Sequence, residues 1–233
     1  MINIPLNKIL FIDIETVGIE SNWDSFVKNH KDLSQKFEDY QDWFKKRFPE
    51  DSELGVDGMF LGRSALVPEF AKIVCISVCF VTPENEIKTQ SFYGDDEKEL
   101  LTNARDLLNK VHNLNFYLCG HNLKNFDIPM MAKRMVINGI LPPKIFPNYD
   151  TKPWEIKAID TKEVWQFGSF AAISSLELAC VSMGIDSSKN TGVSGNEVHT
   201  TYWDKKNLDG IVTYCEEDVK VLVELIKKLK SLS

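Results

Sequence analysis

The sequence predicts an α/β fold, a mixed sheet flanked by helices. Three observations predict it. Apolar, β-rich runs come first, strand and helix patterns then alternate, and the chain closes on a long amphipathic helix.

Residues 8–16 read as the first strand, apolar until two acids appear at its end. Residues 73–81, "IVCISVCFV", form a buried β-rich run. Residues 86–93 alternate well enough to be its hairpin partner, joined by "TPENE", whose Pro and Asn suit a turn. "GDDEKELLTNARDLLNKVH" reads as a helix with acids in its first turn, which complements the helix dipole. "NFYLCGHN" is a fourth strand, and "IPMMAKRMVINGI" a helix with proline near its start and glycine near its end. "IKAIDTKEVW" reads as a fifth strand running into a loop, and "SSLELACVSMGI" as a short helix closed by Gly184. Residues 187–195 are polar and glycine-containing, hence a loop, and residues 207–232 form the longest helix.

One segment exceeds a minimal domain. Between the first two strands, at about residues 20–70, lies a helical insertion within what reads as a single domain over 1–233. It carries aromatics at Trp23, Phe26, Phe37, Tyr40, Trp43 and Phe44. They either pack the insertion against the sheet edge or stack on bases, and residues 23–48 are also the natural docking surface for a protein partner.

The five cysteines are an odd set without a C-x-x-C pair, which argues against a disulfide framework or a zinc ribbon and suits a reducing compartment. No secretory signal is legible, and residues 73–81, the longest apolar run, are too short to span a bilayer. The expectation is a soluble, cytoplasmic protein without a membrane partner. A net charge of −7 disfavours coating long duplexes. It does not exclude an enzyme that grips a few terminal nucleotides, because acids that hold divalent cations count for less at the site itself.

The chemistry starts at "FIDIET". Side chains alternate along a strand, so Phe11, Asp13 and Glu15 share one face. Two carboxylates on one face of a central strand are costly unless a cation meets them, although a strand simply ending in solvent would also place them so. In "GHNLKNFDIPMMAKR", Asp127 stands just ahead of a helix, where an N-cap is its ordinary role. Such a cap can still turn its carboxylate toward a metal.

The last helix carries an apolar stripe at Ile211, Cys215, Leu222, Ile226 and Leu229, and Asp218 interrupts it. An aspartate on the core-facing side needs a partner, and a metal ion is a natural one. Tyr214 precedes it by one turn on the same face; alone it would read as a core tyrosine with its hydroxyl reaching water.

Together, Asp13 and Glu15, then Asn122, Phe126 and Asp127 as N-x-x-x-F-D, then Tyr214 and Asp218 as Y-x-x-x-D, resemble the DEDD superfamily of 3′–5′ exonucleases in its tyrosine-containing branch. "PEFAKIVCISV", "SSLELACVSMGI" and "DGIVTYCEEDV" resemble segments of stand-alone relatives of the family-B DNA polymerase proofreading domain. The resemblance implies a ribonuclease H-like five-stranded sheet whose first three strands are antiparallel. It implies that Asp13 bridges two divalent ions, that Glu15 and Asp218 complete one site, that Asp127 serves the other, and that Tyr214 orients the attacking water. The histidine variant of the motif would place its residue at position 213, where Thr213 stands.

Phosphodiester hydrolysis needs a nucleophile at neutral pH and relief of charge on the leaving oxygen, which two ions roughly 3.5–4 Å apart supply. An all-oxygen ligand set suits Mg²⁺ or Mn²⁺. A tyrosine with an ordinary pKa near 10 is a poor base at pH 7, so positioning is the role it suits. Thr16, Asn122 and Phe126 are candidate contacts to the terminal nucleotide, with a core Phe126 an equally good reading. Lys124, Lys133, Arg134 and Lys189 are candidate strand guides, and Asp160 is a candidate supporting residue rather than a ligand. The expected function is thus trimming of single-stranded nucleic acid from a free 3′ end, DNA favoured, beside a polymerase or another replication or repair protein. The alternatives are an exoribonuclease of the same branch and a non-catalytic nucleic-acid-binding module.

Overall fold

The computed structural model describes residues 2–169, 175–186 and 192–232. Its strands are β1 (Ile9–Gly18), β2 (Ala71–Val81), β3 (Ile87–Tyr93), β4 (Tyr117–Gly120) and β5 (Ala158–Asp160). They form one five-stranded sheet in the order β3-β2-β1-β4-β5. β1–β2 and β2–β3 pair antiparallel, while β1–β4 and β4–β5 pair parallel. This is the mixed sheet flanked by helices that the sequence predicts.

The alternation of β1 divides the core. Leu10, Ile12 and Ile14 face a cluster with helices α5 (Glu97–Asn113) and α6 (Asp127–Ile137), as Leu101, Leu108 and Met131 join it. Ile9 and Phe11 face the opposite cluster, filled by Leu222, Ile226 and Leu229 of helix α10 (Leu208–Lys230). β1 therefore lies between two apolar layers, and any polar side chain on it must find its partners inside the protein.

The insertion holds helices α1 (Trp23–Asn29), α2 (Lys31–Asp39), α3 (Gln41–Arg47) and α4 (Val56–Arg63). It has its own core of Phe26, Phe37, Phe44, Met59, Phe60 and Phe70, with rings of Phe26 and Phe60 stacked at 4.7 Å. The expectation of packing at a sheet edge needs correcting. β1 and β2 are interior strands, so the insertion grows from their ends and closes on itself instead. Tyr40 and Trp43 remain exposed at 53% and 49%.

Two further differences are local, at a helix after β5 and at one before α10, and the short helix between them falls where the sequence places it. Residues expected as loop after β5 form helix α7 (Thr161–Gln166), because Asp160 caps it by accepting from Lys162 N at 3.0 Å. The short helix after it is α8 (Leu176–Ser182), with Ser175 as its cap and Gly184 in the left-handed region at φ 67°. Helix α9 (Val198–Trp203) has no counterpart in the sequence reading; Val198 and Tyr202 pack on Val17 and Ile211, a one-turn stripe too short to register as a period. Most of the loop expected at 187–195 lies outside the described residues.

Candidate active site

Asp13 and Glu15 stand near the end of β1, past the point where β4 stops pairing with it at Phe11. The register against β2 slips between Glu15, opposite Cys75, and Thr16, opposite Ile73, leaving Val74 as an extra residue. Such a bulge increases twist and re-aims neighbouring side chains. Gly18 ends the strand where a Cβ would lie 2.5 Å from Ser64 Oγ and 3.1 Å from His199 Cε1, so only glycine lets β1, the insertion and α9 meet there.

Asp127 is almost wholly buried, 3% exposed, and is the first residue of α6; Phe126, not Asp127, holds the cap position and supplies no side-chain cap. Its carboxyl instead hydrogen-bonds backbone at its own position and at Ile14 of β1. Asp160 sets up this approach. Its carboxylate accepts from Asn122 N at 2.9 Å and Lys124 N at 3.0 Å, holding a turn in which Asn122 takes φ 62°. Asp160 is thus a supporting residue at the end of β5, the next strand in sequence after that turn.

From α10, Tyr214 and Asp218 reach the same place one helical turn apart, with a hydrogen bond between them. Cys215, on the same helix, packs its thiol 3.6 Å from Asp13 Oδ2. Ligand atoms of Asp13, Glu15 and Cys215 all lie within 4.8 Å of one another. The sequence reading missed this cysteine, since it looked like one more apolar residue of the stripe.

The electrostatics register how close the acids are. Burial, then the charges of Asp127, Glu15 and Asp218, push the Asp13 carboxyl well above its usual range, against a hydrogen bond from Cys215. Burial and Asp218 do the same to Glu15. Asp127 is pushed up to about 7, chiefly by burial, with its backbone hydrogen bonds pulling the other way. Burial and the neighbouring carboxylates raise the Tyr214 hydroxyl far above its ordinary value. Carboxyls buried and crowded in this way are costly to ionise, and the charge of a bound cation would offset that cost.

The other candidates separate. Thr16 donates from Oγ1 to Ala65 O at 2.8 Å and lines a groove beside Glu15, which Phe126 lines as well while also packing on the core. Asn122 Oδ1 accepts from Lys162 Nζ at 3.2 Å. Arg134 is no strand guide, because it is buried in an ion pair with Glu97, Nε to Oε1 2.9 Å. Lys124 and Lys133 pair with Glu163 and Glu69, and Lys189 lies outside the described residues. All five cysteines are buried and free.

Residues 65–222 match the model of a family described as a predicted 3′–5′ exonuclease related to the exonuclease domain of PolB. The chain belongs to that family. Its fold is that of DEDD-type 3′–5′ exonucleases, and a family B DNA polymerase from the hyperthermophilic archaeon Pyrobaculum calidifontis superposes on 97% of it with a TM-score of 0.61 and 14% identity. Escherichia coli exonuclease I in complex with a dT13 oligonucleotide matches over 95% of the chain with a TM-score of 0.45 and 12% identity. The chain spans 25% of that polymerase and 40% of that exonuclease I. A search of curated proteins finds no match. Among the described residues, no helix is long and apolar enough to cross a membrane.

Proposed function

We propose that the protein is a 3′–5′ exonuclease of the tyrosine branch that hydrolyses single-stranded nucleic acid from its 3′ end, releasing nucleoside 5′-monophosphates. The observation that carries this reading is the convergence of Asp13, Glu15, Asp127 and Asp218, drawn from β1, α6 and α10, with Tyr214 hydrogen-bonded to the last of them. The preference for DNA rests on the family's relation to the PolB exonuclease domain. A polymerase or another replication or repair protein is the partner class that relation suggests, and residues 1–233 act as one exonuclease domain.

The four carboxyls fit two divalent cations, Mg²⁺ or Mn²⁺. Asp13, whose carboxyl feels the charges of the other three, would hold the ions together with Glu15, Asp127 and Asp218. Bound ions of this kind supply activation of the attacking water and relief of charge at the leaving 3′ oxygen. Tyr214, held protonated by its surroundings, can only donate or accept a hydrogen bond at neutral pH, so it orients the water and takes no proton from it. Asp160 and the Asn122–Lys124 turn hold α6, and thus Asp127, in place.

The test uses 5′-labelled single-stranded DNA and matched RNA with Mn²⁺, Mg²⁺ or EDTA, alongside Asp218→Ala. Stepwise shortening, lost with EDTA and in the variant, is expected, and the faster substrate assigns DNA or RNA. No shortening of either strand with either metal would remove the enzymatic reading and leave a binding module.

A further inference from the structure

A second cavity lies beside the end of β1. It measures about 550 Å³, is lined by Lys72, Asp95, Tyr202, Trp203, Lys206 and Leu208, and shares no lining residue with the groove at Glu15. Two contacts fix its place. Lys72 stands opposite Val17 in the register of β1 and β2, and Trp203 Nε1 donates to Gly18 O at 3.1 Å. The volume falls in the range of sites that hold small ligands.

Two ammonium groups meet at one ring there. Lys72 Nζ lies 5.2 Å from the Trp203 ring centroid and 4.6 Å from that of Tyr202, and Lys206 Nζ lies 5.2 Å from Trp203. Lys72 gives one of its three N–H groups to Tyr202 Oη at 2.6 Å, and that hydroxyl in turn donates to Asp95 Oδ1. Asp95 is thereby engaged, and among the described residues neither lysine makes an ion pair. Burial holds the Lys72 ammonium below its ordinary pKa; Asp95, Glu97 and Glu20 oppose this, and Lys206 adds to it. Lys206 sits in the left-handed region at φ 53°, which favours glycine, yet a lysine occupies it and brings a second cation to the ring. Two lysines against one aspartate leave the lining with one positive charge, in a chain whose net charge is −7. The cations nearer the carboxylates differ, since Lys124 and Lys133 pair with acids and Arg134 is buried against Glu97.

We infer that Lys72 and Lys206 hold the phosphate of a nucleotide unit in this cavity, with Trp203 and Leu208 as the apolar surface against which its sugar or base rests. An anion between the two ammonium groups offsets their repulsion. It also meets N–H donors that the described residues leave unused, two on Lys72 and three on Lys206. The site is separate from the carboxylate centre, needs no metal ion and does not depend on the exonuclease reading. A free mononucleotide and a phosphate within a strand present the same chemistry to it.

The experiment uses the whole chain in EDTA, so that no cation occupies the carboxylate centre. Binding of radiolabelled thymidine 5′-monophosphate is followed by equilibrium dialysis, and binding of a 5′-fluorescein-labelled oligothymidylate by fluorescence anisotropy. The parent is compared with Lys72→Gln, Lys206→Gln and, as a control, Lys205→Gln, an exposed lysine outside the cavity. Each of the first two is expected to raise Kd for the monophosphate about tenfold, the effect of one charge-assisted hydrogen bond, with Lys205→Gln within about twofold of the parent. Inorganic phosphate is expected to displace the monophosphate, and thymidine is not. Loss confined to the monophosphate assigns the site to free nucleotides. Loss that extends to the oligonucleotide, with a slope of log K against log[salt] shallower by about 0.7, assigns it to a strand. Lys206 is exposed, so Lys206→Gln decides the matter if Lys72→Gln melts early. Unchanged binding of both probes in Lys206→Gln, an equal loss in Lys205→Gln, displacement by thymidine, or no binding of the monophosphate by the parent overturns the inference. A parent that binds through the two lysines yet trims nothing with Mn²⁺ or Mg²⁺ would remove the enzymatic reading and leave this site standing.

Discussion

The sharpest prediction concerns Asp127→Asn in metal-free protein. Burial raises this carboxyl from its usual 3.8 to about 7. In the unfolded chain it titrates near its ordinary value, so between those two pH values the folded state holds a proton that the unfolded state has lost. Stability then falls as pH rises through that window, by up to about 4 kcal/mol at 1.36 kcal/mol per unit, and stays lower above it. Asparagine keeps the shape and removes the titration, but it loses hydrogen bonds that the carboxylate accepts, so about half of the gain is expected to survive. In EDTA the variant should melt roughly 4–8 °C above the parent at pH 8 and within about 2 °C of it at pH 5. Saturating Mg²⁺ or Mn²⁺ should reverse the order at pH 8, because the bound cation stabilises the parent's carboxylate and has less to hold in the variant. The assay is thermal unfolding followed by circular dichroism at both pH values, with and without metal. A variant less stable than the parent at pH 8 in EDTA would refute the claim that Asp127 is a buried carboxyl costly to ionise.

Other outcomes follow from the same geometry. Tyr214→Phe should lower kcat about 10²-fold with KM within about threefold in a steady-state trimming assay, since the ring stays and only the orienting hydroxyl is lost. Arg134→Met should cost about 3–5 kcal/mol in urea unfolding, because Glu97 would be left buried without its ion-pair partner while still accepting from Ile73 N at 2.8 Å. Phe37→Ala, at the centre of the insertion's core, should cost about 3–5 kcal/mol if the insertion unfolds together with the sheet. A separate early transition in that variant would mean that the insertion is an independent unit.

Much of this protein is legible in its sequence because the signals are local and periodic. Strand alternation puts Asp13 and Glu15 on one face, a helical stripe puts Asp218 where an apolar residue belongs, and the turn residues between β2 and β3 announce a hairpin. The antiparallel pairing of the first three strands follows from the family resemblance, which also implies that three distant segments share one site, whereas the strand order came from the structure. Short elements escaped this reading: α7 and α9 have six residues each, too few to show a period.

What only the tertiary structure decided are relations between side chains far apart in the chain. Cys215 beside Asp13, Asp160 beneath the Asn122–Lys124 turn and Arg134 locked to Glu97 rather than exposed to a substrate are contacts across 202, 36–38 and 37 residues. The insertion's aromatics are the same case. Periodicity marks them as apolar and leaves open whether they face a sheet, a base or each other. That choice depends on which surfaces the folded chain brings within reach, since hydrophobic burial is non-directional and takes whatever partner the topology supplies.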